Sequence, residues 1–488
     1  MPPSLALFLW LVLLLSLLRW DPVRVPKSSW ALWISIVWLF ILASRLPSQW
    51  LGTDSGGSIE EGNPVDRAIF FVIIVAAIAV LASRSFNWSN FVSRNLALSA
   101  FVAFALLSVV WSDYPFVTFK RWFRDLGNYL IVLIALSDQR PKEAVSTVLR
   151  RFAYLMIPLS ILLNKYFPQL SKQYDFFTGA ATYAGATTSK NMLGVVCLIC
   201  GMFFFWDTLA RWSKRRERQN RRVILLNAIF FLMTIQLLWV SNSATSKLCL
   251  ALGCIVIYGT QSNIFKRHPK FLRAVVPTIF VLYVVLAVGF NINAEVAQAM
   301  GRDPTLTDRT KIWAILLNMH TEPLLGTGYE TFWLGHRVDI VWASFPGLNE
   351  AHNGYLEIYL NLGIIGLALL LTFLAASYRN IGKELKASLS LGSLWFALWT
   401  IMLFYNITEA AFRGQIIWVI FLFGGMVVPA TIKVRRSVMA PVHKSEPSTS
   451  KVHPSKFEED GIERSAGFGT VRTRQRQFRS SSIGDLYE

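Results

Sequence analysis

AHNGYLEIYLNLGIIGLALLLTF, residues 351–373, decides the fold class, because a polar, charged stretch hands over directly to an apolar run long enough to enter a bilayer. A helix rises about 1.5 Å per residue, so about 20 apolar residues cross a hydrocarbon core of about 30 Å. The same pattern recurs along the chain, near 3–18, 29–44, 67–83, 95–111, 124–137, 150–167, 191–209, 223–241, 243–260, 274–290, 351–377, 390–409 and 415–432. Over 488 residues, 54% are hydrophobic and 16% charged, a balance that excludes a soluble domain of this size. The expected fold is all-α: a polytopic membrane protein with about 12–13 transmembrane helices and one large extracytoplasmic loop containing short helices.

The organisation follows from these segments. Residues 1–94 form an N-terminal helical group, 95–290 a central one, 291–350 the large loop, 351–432 the C-terminal helices and 433–488 a basic tail. The tail, rich in Lys, Arg, Ser, Pro and Glu, lacks the apolar residues to fold alone and reads as disordered. The first segment has the length of a signal peptide but no basic residue ahead of it, and Arg19, Arg24 and Lys27 follow it, so it reads as a retained helix. Placing the N-terminus outside puts RWSKRRERQNRR (211–222), KRHPKFLR (266–273) and the tail inside, together with most of the 48 Lys and Arg. This bias, with anionic lipid contact, accounts for the +19 net charge without nucleic-acid binding. Cys197, Cys200, Cys249 and Cys254 all lie in apolar segments, so neither a disulfide nor a metal is assigned to them. His320 and His336 in the loop have no ligand spacing relative to His352, and no metal is assigned there either.

His352 stands where the loop meets the membrane. Imidazole titrates nearest neutrality, so a histidine at that interface can exchange protons with a substrate hydroxyl. Upstream, LTDRTKIWAILLNMH (306–320) reads as a short amphipathic helix with Thr307 or Asp308 as cap, able to lie on the membrane surface. PLLGTGYETF (323–332) reads as a Gly-rich turn. Lys190, Lys247, Arg309 and Arg413 fall at outward helix ends or in outward loops, where basic residues are otherwise scarce. Glu357 is placed to orient His352 or to face elsewhere, and Asn353 and Tyr355 flank it. Glu409 and Arg413, spaced i to i+4, can pair with one another. Lys120, Arg121 and Arg124, interleaved with Phe and Trp, suit interfacial anchoring or the docking of a sugar and its phosphate. Gly363 and Gly366 are expected to allow close helix approach.

The order LTDRTKIW, PLLGTGYETF, AHNGYLEIYLNLGIIGLALL resembles the C-terminal core of the O-antigen ligase and polymerase superfamily of bacterial membrane glycosyltransferases. SVVWSDYPFVTFKRWFRDLGNYLIVL (108–133) and TTSKNMLGVV (187–196) resemble its exopolysaccharide-polymerisation branch, and together the resemblance spans roughly residues 95–430. It implies a core of 223–290 with 291–432, in the bacterial inner membrane with a periplasmic loop. The implied reaction transfers glycan from an undecaprenyl-diphosphate carrier to an acceptor glycan or lipid core, with inversion and without cofactor or metal. Membrane lipids and other polysaccharide-assembly proteins are the further partners it suggests. The family's essential His corresponds to His352 and its TxRxxxW-type Arg to Arg309. A third family Arg is replaced by Ala244, with Lys247 one turn on; a lysine holds phosphate as a point charge and lacks the guanidinium fork. Arg309, Lys247, Lys190 and Arg413 are therefore the expected diphosphate ligands. A lipid-linked glycan flippase or a non-catalytic membrane subunit is the competing class; a flippase is disfavoured because the helices carry few ionisable residues at mid-membrane.

Overall fold

The computed structural model describes residues 1–21, 29–53, 62–174, 179–289, 309–319 and 321–428. The tail expected to be disordered, His320 and the expected caps Thr307 and Asp308 lie outside the described residues. The chain is built from helices, with a single two-stranded antiparallel hairpin, Lys172–Tyr174 with Ala181–Tyr183, among the described residues. The main helices are α1 (Pro3–Arg19), α2 (Leu32–Ala43), α3 (Pro64–Ser83), α4 (Leu96–Leu107), α5 (Pro115–Leu136), α6 (Pro141–Tyr166), α7 (Lys190–Trp212), α8 (Arg218–Ser241), α9 (Ala244–Gln261), α10 (Pro269–Gly289), α11 (Arg309–Leu317), α12 (His336–Ser344), α13 (Gly354–Ala387), α14 (Leu389–Tyr405) and α15 (Ile416–Gly425).

Each apolar segment read from the sequence falls on one of these helices, and the polytopic all-α class holds. The number that can cross a membrane unaided is smaller. Among the described residues five helices are long and apolar enough (α3, α6, α7, α8 and α13), six if Trp88–Arg94 and Leu96–Val110, bent by 101°, form one broken span. Others, such as α1, α2, α14 and α15, are apolar but only 10–17 residues long. Asn95, at the bend, accepts from Val427 N (2.9 Å) and donates to the Val427 and Phe91 carbonyls (2.8 and 2.9 Å).

The core is formed where α7 packs on α8 and α9, and α14 on α9 and α13. The helices touch closely where side chains are small: Gly194 of α7 leaves room only for Ser243 and Ser246 of α9. At the other ends of α6, α7 and α8, Arg150 is buried with its guanidinium on Asp207 Oδ2 (2.5 Å) and Asn227 Oδ1 (2.9 Å), while Asn227 donates to the same Asp207 oxygen (2.7 Å). A buried charge is tolerated only when paired and hydrogen-bonded, and this network joins all three helices.

The break in α13 positions everything that follows. Gly363 has φ +63° inside the helix, and a Cβ there would fall 2.2 Å from the Leu324 carbonyl oxygen. What approaches is the backbone of the 323–328 turn, not a neighbouring helix as the glycine spacing suggested; the second glycine, Gly366, meets the side chain of Leu362 in its own helix. The turn completes the interrupted ladder: Thr327 and Gly328 N–H donate to the Leu360 and Asn361 carbonyls (3.1 and 2.9 Å), and Ile364 N–H donates to the Pro323 carbonyl (2.9 Å). Backbone groups freed at a helix break in a membrane need such partners. Gly326 and Gly328, at φ +69° and +104°, supply the turn's backbone.

Candidate functional site

The turn is also clamped from the opposite side. Tyr329 N–H donates to Ser108 Oγ (2.9 Å), the Trp111 indole donates to the Leu325 carbonyl (3.2 Å), and the Tyr329 hydroxyl donates to Asp125 Oδ2 (2.9 Å). Thus the 108–133 stretch and PLLGTGYETF, far apart in sequence, are one packed unit. Helix α11 does not lie free on a surface. Its Ile312 and Leu316 face pack into a small core with Phe332, Trp333, Val341, Ala351 and Leu360.

Each residue of AHNGYLE has a separate task. Ala351 is fully buried; its N–H donates to Glu357 Oε2 (2.8 Å) and its carbonyl accepts from the Trp313 indole (2.8 Å), tying α11 to the start of α13. The Asn353 side chain caps α13, accepting from Tyr355 and Leu356 N–H (both 3.0 Å). Gly354 N–H donates to the Asn406 carbonyl (2.8 Å), and a Cβ at Gly354 would meet the Asn406 side chain. That contact docks the 406–415 turn on the helix start and delivers Glu409 to His352.

His352 itself has φ +49°, a left-handed backbone rare outside glycine and frequent at functional sites. Its Nδ1 lies 3.0 Å from Glu350 Oε1 and 3.7 Å from Glu409 Oε2. Neither contact is aligned as a hydrogen bond in this arrangement, although Glu350 Oε1 is at hydrogen-bond distance. Arg309 closes the cluster, donating from Nη2 to Glu409 Oε1 at 3.2 Å. Burial opposes a charge on His352, but Glu350 and Glu409 outweigh it and lift the imidazole to about 9. Burial likewise works against ionised Glu350, yet His352, with Arg413 and Arg309, holds its carboxyl below the usual value. His352 is therefore an imidazolium at neutral pH.

Of the two readings of Glu357, orienting His352 or facing elsewhere, the second holds: it is buried and accepts from Trp333 Nε1 (2.7 Å), Ala351 N–H and Asn361 Nδ2 (3.2 Å), and pairs with Arg413 at 3.3 Å. Glu409 and Arg413 do not pair with one another, because 406–415 is a turn and helical spacing does not apply. The Asn353 side chain serves as the helix cap, and the Tyr355 hydroxyl donates to the Leu403 carbonyl (3.0 Å). Lys247 turns to Asn242 Oδ1 (3.4 Å) and the Trp239 ring (4.9 Å). Lys190 opens α7, capped by Ser189, on the same side of the helices as the start of α9. Arg309, His352 and Arg413 are gathered, with Arg413 also donating to the Asn349 carbonyl (3.1 Å).

Glu350 and Glu409 are the residues the sequence did not assign to His352. Their signal was faint: two carboxylates in outward segments of a chain whose charge is mostly basic and inward. The two carboxylates and His352 present three ligand atoms within 4.8 Å of one another, so they could hold a divalent cation. A cation there would displace the imidazole proton, while Arg309 could stay on Glu409 Oε1, since Oε2 is the oxygen that faces His352.

The fold and the site together define a polytopic all-α membrane protein with a half-buried, mixed-charge cluster where a large loop meets the helix bundle. Residues 228–371 match the family model described as O-Antigen ligase. The chain is 25% identical over 300 residues to the exopolysaccharide production protein ExoQ of Rhizobium meliloti (strain 1021), covering 59% of this chain and 66%, just under two thirds, of that relative. The chain is thus similar, over these stretches, to an O-antigen ligase family and to an exopolysaccharide production protein. The family match takes in Lys247, Arg309, Glu350 and His352 and ends before Glu409 and Arg413.

Proposed function

We propose that this protein is a membrane glycan transferase of the ligase/polymerase type, acting in exopolysaccharide or O-antigen assembly at the periplasmic face of a bacterial inner membrane. The observation that carries the reading is the convergence of Arg309, Glu409, His352 and Glu350 from three separate parts of the chain. The donor is a glycan on an undecaprenyl diphosphate. An acceptor hydroxyl oxygen attacks the anomeric carbon, the bond from that carbon to the diphosphate oxygen breaks, and the electron pair leaves with the diphosphate; a single displacement inverts the centre. Arg309, Arg413 and the imidazolium face the charge that accumulates on the leaving group, where fixed cations are most effective. The acceptor's proton enters the Glu350–His352–Glu409 group, which titrates as a unit. Because His352 already holds a proton, it acts as base only by passing that proton to a carboxylate.

Similarity to an exopolysaccharide production protein favours the polymerase over the ligase form. The basic bias of the inward loops supports the orientation with the 309–350 segment outside. The deciding experiment is analysis of surface polysaccharide and lipopolysaccharide from a deletion strain. Loss of long chains with single repeats remaining is the expected result; loss of all glycan from the lipid core indicates a ligase, and unchanged polysaccharide overturns the reading.

A further inference from the structure

A cavity of about 990 Å³ lies between α3 and α5 and reaches the carboxylate cluster without including Arg309 or His352. Its wall toward the cluster is Asn349 and Arg413, and Glu350 follows Asn349 in the chain. Lys120, Arg121 and Arg124 line it from α5 and Arg67 from α3, against only two lining carboxylates, Asp66 and Glu330. Asp66 is already engaged by the Ser48 N–H and hydroxyl (2.8 and 2.7 Å). Glu330 sits at φ +59°, its carbonyl accepting from Arg121, so strained backbone borders the basic wall. The remaining lining is largely apolar, aromatic and aliphatic, and Phe71, Phe116 and Phe119 are 57%, 70% and 43% exposed on the two helices. Cations and apolar side chains share this wall: Lys120 Nζ lies over the Phe116 ring (4.9 Å), Arg124 pairs with Asp125 (3.1 Å), and the exposed Phe71, Phe116 and Phe119 carry the apolar lining out to the surfaces of α3 and α5.

We propose that this cavity seats the isoprenoid diphosphate of a second, acceptor-side lipid carrier, with its head on Lys120, Arg121 and Arg124 and its chain leaving between α3 and α5. The inference rests on the transfer reading and deepens it. Charge complementarity selects a phosphorylated amphiphile, and the volume lies at the upper end of small-ligand pockets, room for a head group and its first isoprene units. Arg413 and Asn349 are the boundary at which such a carrier meets a donor held at Arg309. Two carrier-linked substrates meeting at one proton-holding cluster is the arrangement a polymerase requires.

The test uses the full chain in lipid nanodiscs and a benzophenone-bearing analogue of farnesyl diphosphate, with crosslinks mapped by peptide. Crosslinks are expected in residues 64–83 and 115–136, lowered about tenfold or more when Lys120, Arg121 and Arg124 are all changed to Gln, as expected for lost charge-assisted contacts. Ala68→Trp, which narrows the cavity without altering charge, is expected to lower them as well, and Arg309→Ala to leave them in place. Crosslinks confined to other segments, or unaffected by both cavity variants, overturn the proposal. Equal competition by phosphatidylglycerol and undecaprenyl phosphate also overturns it, making the cavity a phospholipid site. Glycan transfer is assayed in the same nanodiscs: transfer without cavity crosslinks removes this proposal alone. Cavity crosslinks without transfer from a defined lipid-linked donor support the lipid site and remove the transfer reading.

Discussion

His352 Nδ1 and Glu350 Oε1 stand 3.0 Å apart across a turn whose backbone at His352 is left-handed. The pair makes this histidine a cation where an unperturbed one would be mostly neutral.

The first consequence concerns pH. His352 is raised from 6.5 to about 9, so its contribution to stability is fully present below the unfolded value and is lost as pH rises through about 9. Glu350, lowered, contributes above its unfolded value and loses that contribution as pH falls through its folded one. Thermal melting of the purified protein should therefore decline on the alkaline side near pH 9, and His352→Gln should remove that decline. An identical alkaline limb in the variant would show that another group produces it.

Turnover separates the roles within the cluster. Loss of a proton-transfer group costs roughly 100-fold or more, so His352→Gln and Glu409→Gln should each lower transfer from an undecaprenyl-diphosphate glycan on that scale. Donor binding should survive in the Glu409→Gln variant, since Arg309 is then freed from its carboxylate. Near-normal turnover in both variants would move the proton chemistry elsewhere.

Arg309 tests the diphosphate contact. Arg309→Ala should reduce transfer by about 100-fold or more, as for removal of one fixed electrostatic stabiliser, and Arg309→Lys should recover only part because an ammonium lacks the planar fork. Polysaccharide of wild-type length in cells carrying the Ala variant would exclude Arg309 from the site.

Gly363 is expected to be among the least tolerant positions. A Cβ would meet the Leu324 carbonyl oxygen at 2.2 Å in a backbone conformation already costly for other residues, so Gly363→Ala should destabilise by about 2–5 kcal/mol from strain and overpacking together. A lowered melting temperature with partial loss of the 323–332 turn to proteolysis is the expected readout; an unchanged melt would mean that the turn and helix separate at little cost.

Orientation is tested by Glu322→Cys in a Cys-free background, an exposed position in the loop. The thiol should react with an impermeant reagent in cells whose inner membrane is intact. Reaction only after permeabilisation would put the cluster on the wrong face for the proposed chemistry.

A chelator distinguishes proton chemistry from metal chemistry at Glu350, His352 and Glu409. Transfer is expected to persist after treatment with EDTA. Loss of activity that a divalent cation restores would identify the cluster as a metal site.

The sequence by itself determined the fold class. A backbone in lipid must satisfy its own hydrogen bonds, so repeated apolar runs at this density leave only a helical membrane protein. Arg309 and His352 were singled out through the resemblance of their short motifs to a known family, and each stands at or just before a helix start. Tertiary structure alone decided the partners. Glu350 is a neighbour of His352, but Glu409 reaches it only because Gly354 docks the 406–415 turn through Asn406, and no local periodicity encodes a contact between segments so far apart. The same holds for Glu357, which the sequence left either beside His352 or facing elsewhere, and which Trp333 and Arg413 hold in the structure. The cavity between α3 and α5 is a further case: its cations are visible in the sequence as interfacial residues, and only the packing of two helices and the 323–349 segment makes them walls of one space.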